Sequence, residues 1–340
     1  MRRLNYIGSK HTLVDWIGET LREVAGLESF VGLRVADLFA GTGSVSYYFR
    51  KQGACVLSND VERYSSVITH AMTRSVYTDR CKEIVETLNA TPGTTVGYVT
   101  THYSPSGDSE RMFFTVENAS RMDFLRARLE ALRPEVTEDE FAFLLASFLV
   151  SADSVSNVPA VYGCYLKHFK AKAETPFQLF PIHTDTTPPE EDSATTAQDV
   201  LTLELPDVDV AYLDPPYNER QYSKNYFPLN VLAKSPEELL REPPLKGKTG
   251  IPQDCFLSPF CQSRAVEGAF RTLIASLPAT WVLVSYSSEG LLPVDTLRAC
   301  LAEHGEVTVV ERPYKRFKSF AYNATAPVTE YLLCLHKTRT

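Results

Sequence analysis

The sequence predicts an α/β fold, an open and mainly parallel sheet interrupted by a mainly helical insertion. Three observations carry this. Residues 34–60 read as strand, glycine turn, helix, strand and terminal acid. The same rhythm resumes near residue 197 and continues to about residue 337. Between residues 65 and 189 it lapses into helical stretches separated by polar loops.

Composition sets the outer limits. At 340 residues the chain can bury a large core, and its 44% apolar and 22% charged content is ordinary for a globular protein. No apolar run is long enough to span a bilayer, and Met1-Arg2-Arg3-Leu4 runs straight into a polar motif without a secretory pattern. Cys55, Cys81, Cys164, Cys255, Cys261, Cys300 and Cys334 are odd in number and lack CxxC spacing. They read as reduced thiols of a cytoplasmic protein, with no zinc site. A net charge of −8 argues against a general DNA coat protein, whereas a site-specific enzyme needs only a local basic face. No heptad or exposed apolar helix asks for a second subunit, so a monomer is expected.

Taken in order, Asn5-Tyr6-Ile7-Gly8-Ser9-Lys10 leads into a helix expected from about His11 to Val24. Leu13, Trp16, Ile17 and Leu21 recur at helical spacing, and Ser9 stands where a cap is needed. A glycine before a capped helix start suits an anion, and Lys10 can meet a carboxylate. A plain surface cap explains the same letters. Next, strand 34–38 enters a turn whose Gly41 and Gly43 let the backbone approach a ligand closely. The third glycine of the dinucleotide fingerprint is missing, and a tight strand–helix turn is the alternative. Strand 54–60 ends in Asp60, about twenty residues further on, the usual reach to ribose hydroxyls. Together these parts point to a nucleoside-binding unit.

Within the insertion, helices are expected over 64–77, 79–88, 120–132 and 138–151. The apolar run 141–150 marks the last as a buried core helix. Residues 91–109 read as loop or irregular hairpin, and 184–197 as a surface linker. Residues 162–172 interleave aromatics with cations, among them Lys167 and Lys170. Such a stretch can serve phosphates and bases, or form a solvated amphipathic edge.

The α/β rhythm returns with 198–202, a strand entry in which Asp199 either accepts from a cofactor's adenine amine or turns the chain. A buried strand from Val208 then runs into Asp214-Pro215-Pro216-Tyr217. Neither proline can donate to a sheet ladder, and Pro216 keeps Pro215 out of helical geometry. The strand therefore stops with its polar groups at a carboxyl end, where open α/β sheets bind ligands. This suits methyl transfer to a nucleobase amine, whose lone pair is delocalised into the ring. Asp214 and the Pro215 carbonyl can each accept one amine hydrogen, and Tyr217 can stack on a base taken out of its duplex. The polar and aromatic residues 218–226, with Arg220 and Tyr222, read as a substrate-contacting loop. Residues 243–259 read as loop. Strands 281–285, 307–311 and 330–335 complete the sheet, the last two flanking a segment with Lys315, Arg316 and Lys318. That segment either grips phosphate or is a solvated hairpin.

These motifs together resemble the Dam-like family of adenine-specific DNA methyltransferases: NYIGSK at 5–10, DLFAGTG at 37–43, Asp60, Asp199 and DPPY at 214–217. The resemblance covers about 1–70 and 197–337. It implies a seven-stranded, Rossmann-like sheet with S-adenosylmethionine as methyl donor. Tyr6 and Lys10 would lie against the donor. Asp37, Phe39, Ala40, Gly41, Thr42 and Gly43 would form the turn around its methionine part. Asp60 would hold the ribose and Asp199 the adenine end. Asp214, Pro215, Pro216 and Tyr217 would be catalytic. It also implies a cofactor-binding half at 1–74, a target-recognition region at 75–196 and a catalytic half at 197–340. Lys167, Lys170, Arg220, Tyr222, Lys315, Arg316 and Lys318 would contact double-stranded DNA. A cognate restriction endonuclease in a restriction–modification system is the expected partner, or none for an orphan or phage methylase. Methylation of cytosine, RNA or a protein amide is the alternative, as is a non-catalytic DNA-binding subunit. The last has no need of Asp214, Tyr217, the glycines and Asp60 together.

Overall fold

A computed structural model describes residues 4–106, 110–314 and 328–338, so Lys315, Arg316 and Lys318 lie outside the described residues. The chain divides into two compact units. A sheet unit comprises Ile7–Val61, Pro189–Gln221 and Leu257–Thr340, and a helical unit comprises Met1–Tyr6, Glu62–Pro188 and Tyr222–Phe256.

A 3-10 turn, Lys10–Thr12, precedes helix α1 (Val14–Ala25), whose Ile17 and Leu21 are buried. Gly26 ends the helix in the left-handed conformation, φ 62°. Ser9 makes no cap hydrogen bond and Leu13 holds the N-cap position, which corrects the expected role of Ser9. The 3-10 turn separates Ser9 from the helix, so its hydroxyl stands too early to reach the first free N–H groups. Strand β1 (Arg34–Asp37), helix α2 (Ser44–Lys51) and strand β2 (Cys55–Asn59) form the expected βαβ unit.

The helical unit follows with α3 (Arg63–Thr73), α4 (Asp79–Ala90), α5 (Tyr98–Tyr103), α6 (Val116–Leu132) and α7 (Glu138–Ser154). Thr78, Thr115 and Thr137 cap α4, α6 and α7 by accepting a backbone N–H three residues on. Helix α5 lies inside the stretch expected to be loop. Asp123 of α6 accepts the N–H groups of Gly97, Val99 and Thr100 at 2.8–3.0 Å, a tertiary cap that local composition does not reveal. A short helix α8 (Ala171–Glu174) closes this part.

Strand β3 (Ala194–Thr196) falls within the expected linker and pairs parallel with Leu57–Asn59. Residues 198–202 form a turn after it, correcting the expected strand entry. Asp199 makes that turn, its carboxylate accepting Leu201 N–H at 3.1 Å and its carbonyl Thr202 N–H at 3.0 Å. Strand β4 (Val208–Leu213) stops at the two prolines as expected. Helices α9 (Tyr222–Asn225), α10 (Phe227–Ala233) and α11 (Pro236–Leu239) belong to the helical unit. The chain ends in the sheet unit with α12 (Val266–Ser276), β5 (Ala279–Ser287), α13 (Val294–Ala302), β6 (Gly305–Tyr314) and β7 (Val328–Lys337).

The observed division departs from the boundaries expected at 74 and 196. Helix α3 packs on α7 and α10, which draws residues 62–74 into the helical unit. Residues 222–256 join it as well, Asn230 of α10 accepting Tyr64 N–H at 3.1 Å and donating to Glu62 at 2.6 Å.

The sheet has the order β3-β2-β1-β4-β5-β7-β6. Its first five strands run parallel, and β7 is antiparallel to both β5 and β6. Alternate residues feed two cores. Ala36, Ala211 and Leu213 pack with Phe270 and Leu273 on one face, and Val35, Val210 and Tyr212 with Ile17 and Phe49 on the other. The strand order reverses between β1 and β4, which brings the carboxyl ends of those strands side by side in the ligand-binding position of such sheets.

Candidate active site

Asp214 follows β4 directly and meets Lys10, whose ammonium lies 3.0 Å from Oδ1; the two side chains are 4% (Lys10) and 16% (Asp214) exposed. The Lys10 ammonium also donates to the Gly8 carbonyl at 3.1 Å and sits 4.8 Å from the centre of the Tyr217 ring. The Tyr217 hydroxyl donates to Asp214 Oδ1 at 2.9 Å and lies 3.3 Å from Glu330 Oε2. Asp214 Oδ1 is thus fully engaged. Among the described residues nothing donates to Oδ2 or to the Pro215 carbonyl, leaving two acceptors next to each other in the chain. Burial raises the Asp214 pKa, opposed by the Lys10 charge and by the hydrogen bonds from Lys10 and Tyr217. Burial and then the two carboxylates hold Tyr217 protonated, well above the usual phenol range.

The glycine turn is tied down from three sides. Leu38 N–H donates to the Tyr212 carbonyl, Ala40 N–H to the Asn59 carbonyl, and Gly41 N–H to Asp60 Oδ2 at 2.8 Å. Gly41 and Gly43 take φ of 55° and 69°, which glycine adopts without strain. Thr42 and Ser44 share a hydroxyl contact of 2.9 Å, and Phe39 packs edge-on against Phe260. Asp37 is buried, and its Oδ2 accepts both the N–H and the hydroxyl of Ser46, at 3.1 and 2.6 Å. Its Oδ1 is buried without a hydrogen-bond partner. Burial lifts the Asp37 pKa to about 7, against the Ser46 bonds and with help from Asp214 and Asp60.

In the helical unit, Tyr6 stacks on Tyr226 at 4.9 Å between ring centres and lies 5.3 Å from Tyr222. Two residues expected to have different tasks, Tyr6 and Tyr222, therefore share one aromatic cluster. Lys170 is half-buried and donates to the Val158 carbonyl at 2.9 Å, while Lys167 is exposed. Arg220, in the sheet unit, is exposed.

A family model described as D12 class N6 adenine-specific DNA methyltransferase matches residues 6–263. The chain belongs to that family. It is 38% identical over 339 residues to the type II methyltransferase M.CviAII of Paramecium bursaria Chlorella virus 1, spanning 99% of each protein. It is 34% identical over 347 residues to the type II methyltransferase M.NlaIII of Neisseria lactamica, across 98% of this chain and 100% of that one. It is accordingly an S-adenosylmethionine-dependent methyltransferase of adenine in DNA. Among the described residues no helix is long and apolar enough to cross a membrane.

One residue of this methyltransferase's polar cluster escaped the sequence reading. Glu330 is contributed by β7, 113 residues after its contact Tyr217, and only the pairing of β5 with β7 brings it there. A lone glutamate at a buried position of an apolar strand was the available signal.

Proposed function

We propose that Asp214 Oδ2 and the Pro215 carbonyl accept the two hydrogens of the target amine of a flipped adenine. The observation that supports this is the double engagement of Oδ1 by Lys10 and Tyr217, which fixes the carboxylate and leaves Oδ2 open. With both amine hydrogens held, the nitrogen lone pair points out of the hydrogen-bonded plane toward the electrophile. The Asp214 charge also meets the positive charge that develops on nitrogen. The Lys10 charge opposes the effect of burial and favours the ionised carboxylate. Tyr217 would stack on the base, in place of stacking lost from the duplex.

Bound S-adenosylmethionine supplies the methyl group as an electrophile and keeps the carbon–sulfur electron pair. The residues at the glycine turn fit such a cation. Asp37, with its unpartnered buried Oδ1, would face the amino end, Asp60 the ribose and Asp199 the adenine. Gly41 and Gly43 give the backbone its close approach. No cysteine is needed, since direct transfer has no covalent enzyme intermediate.

The helical unit would read the DNA sequence, with Lys167 and Tyr222 on its contacting side. The chain would work as the modification half of a restriction–modification pair, a reading favoured by its similarity to two type II methyltransferases. The test is to express the protein in cells lacking DNA methylation and sequence their DNA with modification-sensitive reads. Methyl groups on adenine at one recurring motif are expected, with protection from an endonuclease that cuts it. Methylated cytosine, or no modified base despite donor binding, refutes the reading.

A further inference from the structure

We propose that Glu330 is a positioning residue whose protonated carboxyl donates to the Tyr217 hydroxyl and thereby commits the phenolic proton to Asp214. The inference rests on the roles given above to Asp214 and Tyr217.

Proton counting leads to it. The Tyr217 oxygen lies 2.9 Å from Asp214 Oδ1 and 3.3 Å from Glu330 Oε2. A phenol carries one proton and donates to one acceptor. Were both carboxylates ionised, one of these contacts would set lone pair against lone pair. If Glu330 keeps a proton, every contact is a hydrogen bond, running from Glu330 to Tyr217 and from Tyr217 to Asp214, with Lys10 as the second donor to Asp214.

Charge counting agrees. Glu330 is 6% exposed. The groups that face it are Asp214 and Tyr217 after β4, Lys10 from the 3-10 turn, and Tyr212 of β4. Tyr212 is occupied by the Ser285 hydroxyl at 2.7 Å. In the ladder Glu330 stands opposite Ser287 of β5 and Arg312 of β6. The Arg312 guanidinium packs over the Trp16 ring, and Glu330 forms no ion pair among the described residues. Among the described residues, the two buried carboxyls therefore share the ammonium of Lys10, which is bonded to Asp214. A second, uncompensated charge would be costly, and a proton on Glu330 removes it. In keeping with this, burial and the nearby Asp214 raise the Glu330 pKa to about 7.

The consequence is an alkaline limb to the reaction. As Glu330 ionises, Tyr217 gains a competing acceptor and Asp214 loses its fixed hydroxyl. Two variants separate hydrogen-bond donation from mere packing. Glu330→Gln keeps an N–H donor to Tyr217 and cannot titrate, whereas Glu330→Leu keeps bulk and loses the donor. Single-turnover methylation would be measured with saturating donor and DNA from about pH 6 to 9. The wild-type rate should fall toward the alkaline end. Glu330→Gln should stay within about threefold of the wild-type maximum without that fall, and Glu330→Leu should lose about tenfold at every pH with donor affinity unchanged. A Glu330→Gln profile that superimposes on the wild type, or a Glu330→Leu variant at full rate, overturns the proposal.

A second readout needs neither DNA nor donor. In the infrared difference between wild type and Glu330→Gln, Asp37 cancels, and a protonated-carboxyl band should remain that titrates away at alkaline pH. Its absence at neutral pH overturns the proposal. Its presence in a protein that methylates no DNA instead refutes the assigned reaction and leaves the protonation of Glu330 standing.

Discussion

Replacing Lys10 by methionine removes the counter-ion of Asp214 while keeping most of the side-chain volume. The ion pair spans 3.0 Å and is largely shut off from water. At an effective dielectric of about 20 this separation corresponds to about 5.5 kcal/mol of attraction. Water entering beside the shorter-reaching methionine offsets part of this, and the remainder raises the Asp214 pKa further. Burial already raises the Asp214 pKa, so loss of the Lys10 charge leaves less of the variant's carboxyl ionised at neutral pH. A protonated Asp214 accepts the amine hydrogen poorly and no longer stabilises the cation. Methyl transfer at neutral pH should therefore drop by about tenfold or more and recover as pH rises. Glu330 loses the same cation, so its ionisation and the alkaline limb it sets move to higher pH too. The assay is single-turnover transfer of a labelled methyl group to DNA across pH, with donor affinity followed by calorimetry. A Lys10→Met variant with the wild-type pH profile would refute the role of this ion pair.

Two further outcomes follow from the donor-side turn. Asp37 has a folded-state pKa of about 7 against an ordinary 3.8, so the folded state binds the proton more tightly. Its contribution to stability is full at low pH and is lost as pH rises toward 7, by up to about 4 kcal/mol. Asp37→Asn keeps an acceptor for Ser46 and removes that titration, so thermal unfolding from about pH 5 to 8 should fall less steeply in the variant; parallel curves would contradict the assignment. Gly43→Ala places a side chain at φ 69°, and should cost about 1 kcal/mol in denaturant unfolding and weaken donor binding about tenfold. Wild-type donor affinity in that variant would dissociate the turn from the donor.

Much of this architecture is local and hence legible. Strand β4 announces itself because two prolines stop an apolar run, and β1 and β2 because glycines and terminal acids punctuate them. The two acceptors at Asp214 and Pro215 are adjacent in sequence. What was hidden depends on distant partners. Strand β3 is three small residues that pair only because β2 offers an edge, with Ser193 accepting Val56 N–H and Thr195 meeting Ser58. Helix α5 relies on Asp123 for its N-terminal bonds. Residues 222–256 follow β4 and its two prolines in sequence, yet their apolar positions, among them Phe227 and Leu232, are buried in the helical unit. Glu330 reaches Tyr217 and Asp214 through an antiparallel register that no spacing rule supplies.

In the proposed mechanism Asp214 orients and stabilises the reacting amine while taking little part in holding the donor. Asp214→Asn keeps the shape and leaves one acceptor oxygen, but removes the charge. Donor affinity by calorimetry and the single-turnover rate on adenine-containing DNA, measured on the same preparation, decide the matter. Donor affinity should stay within about threefold of wild type, and the rate should fall by at least about a thousandfold. A variant that methylates adenine at the wild-type rate, or one whose loss lies entirely in donor binding, would contradict it.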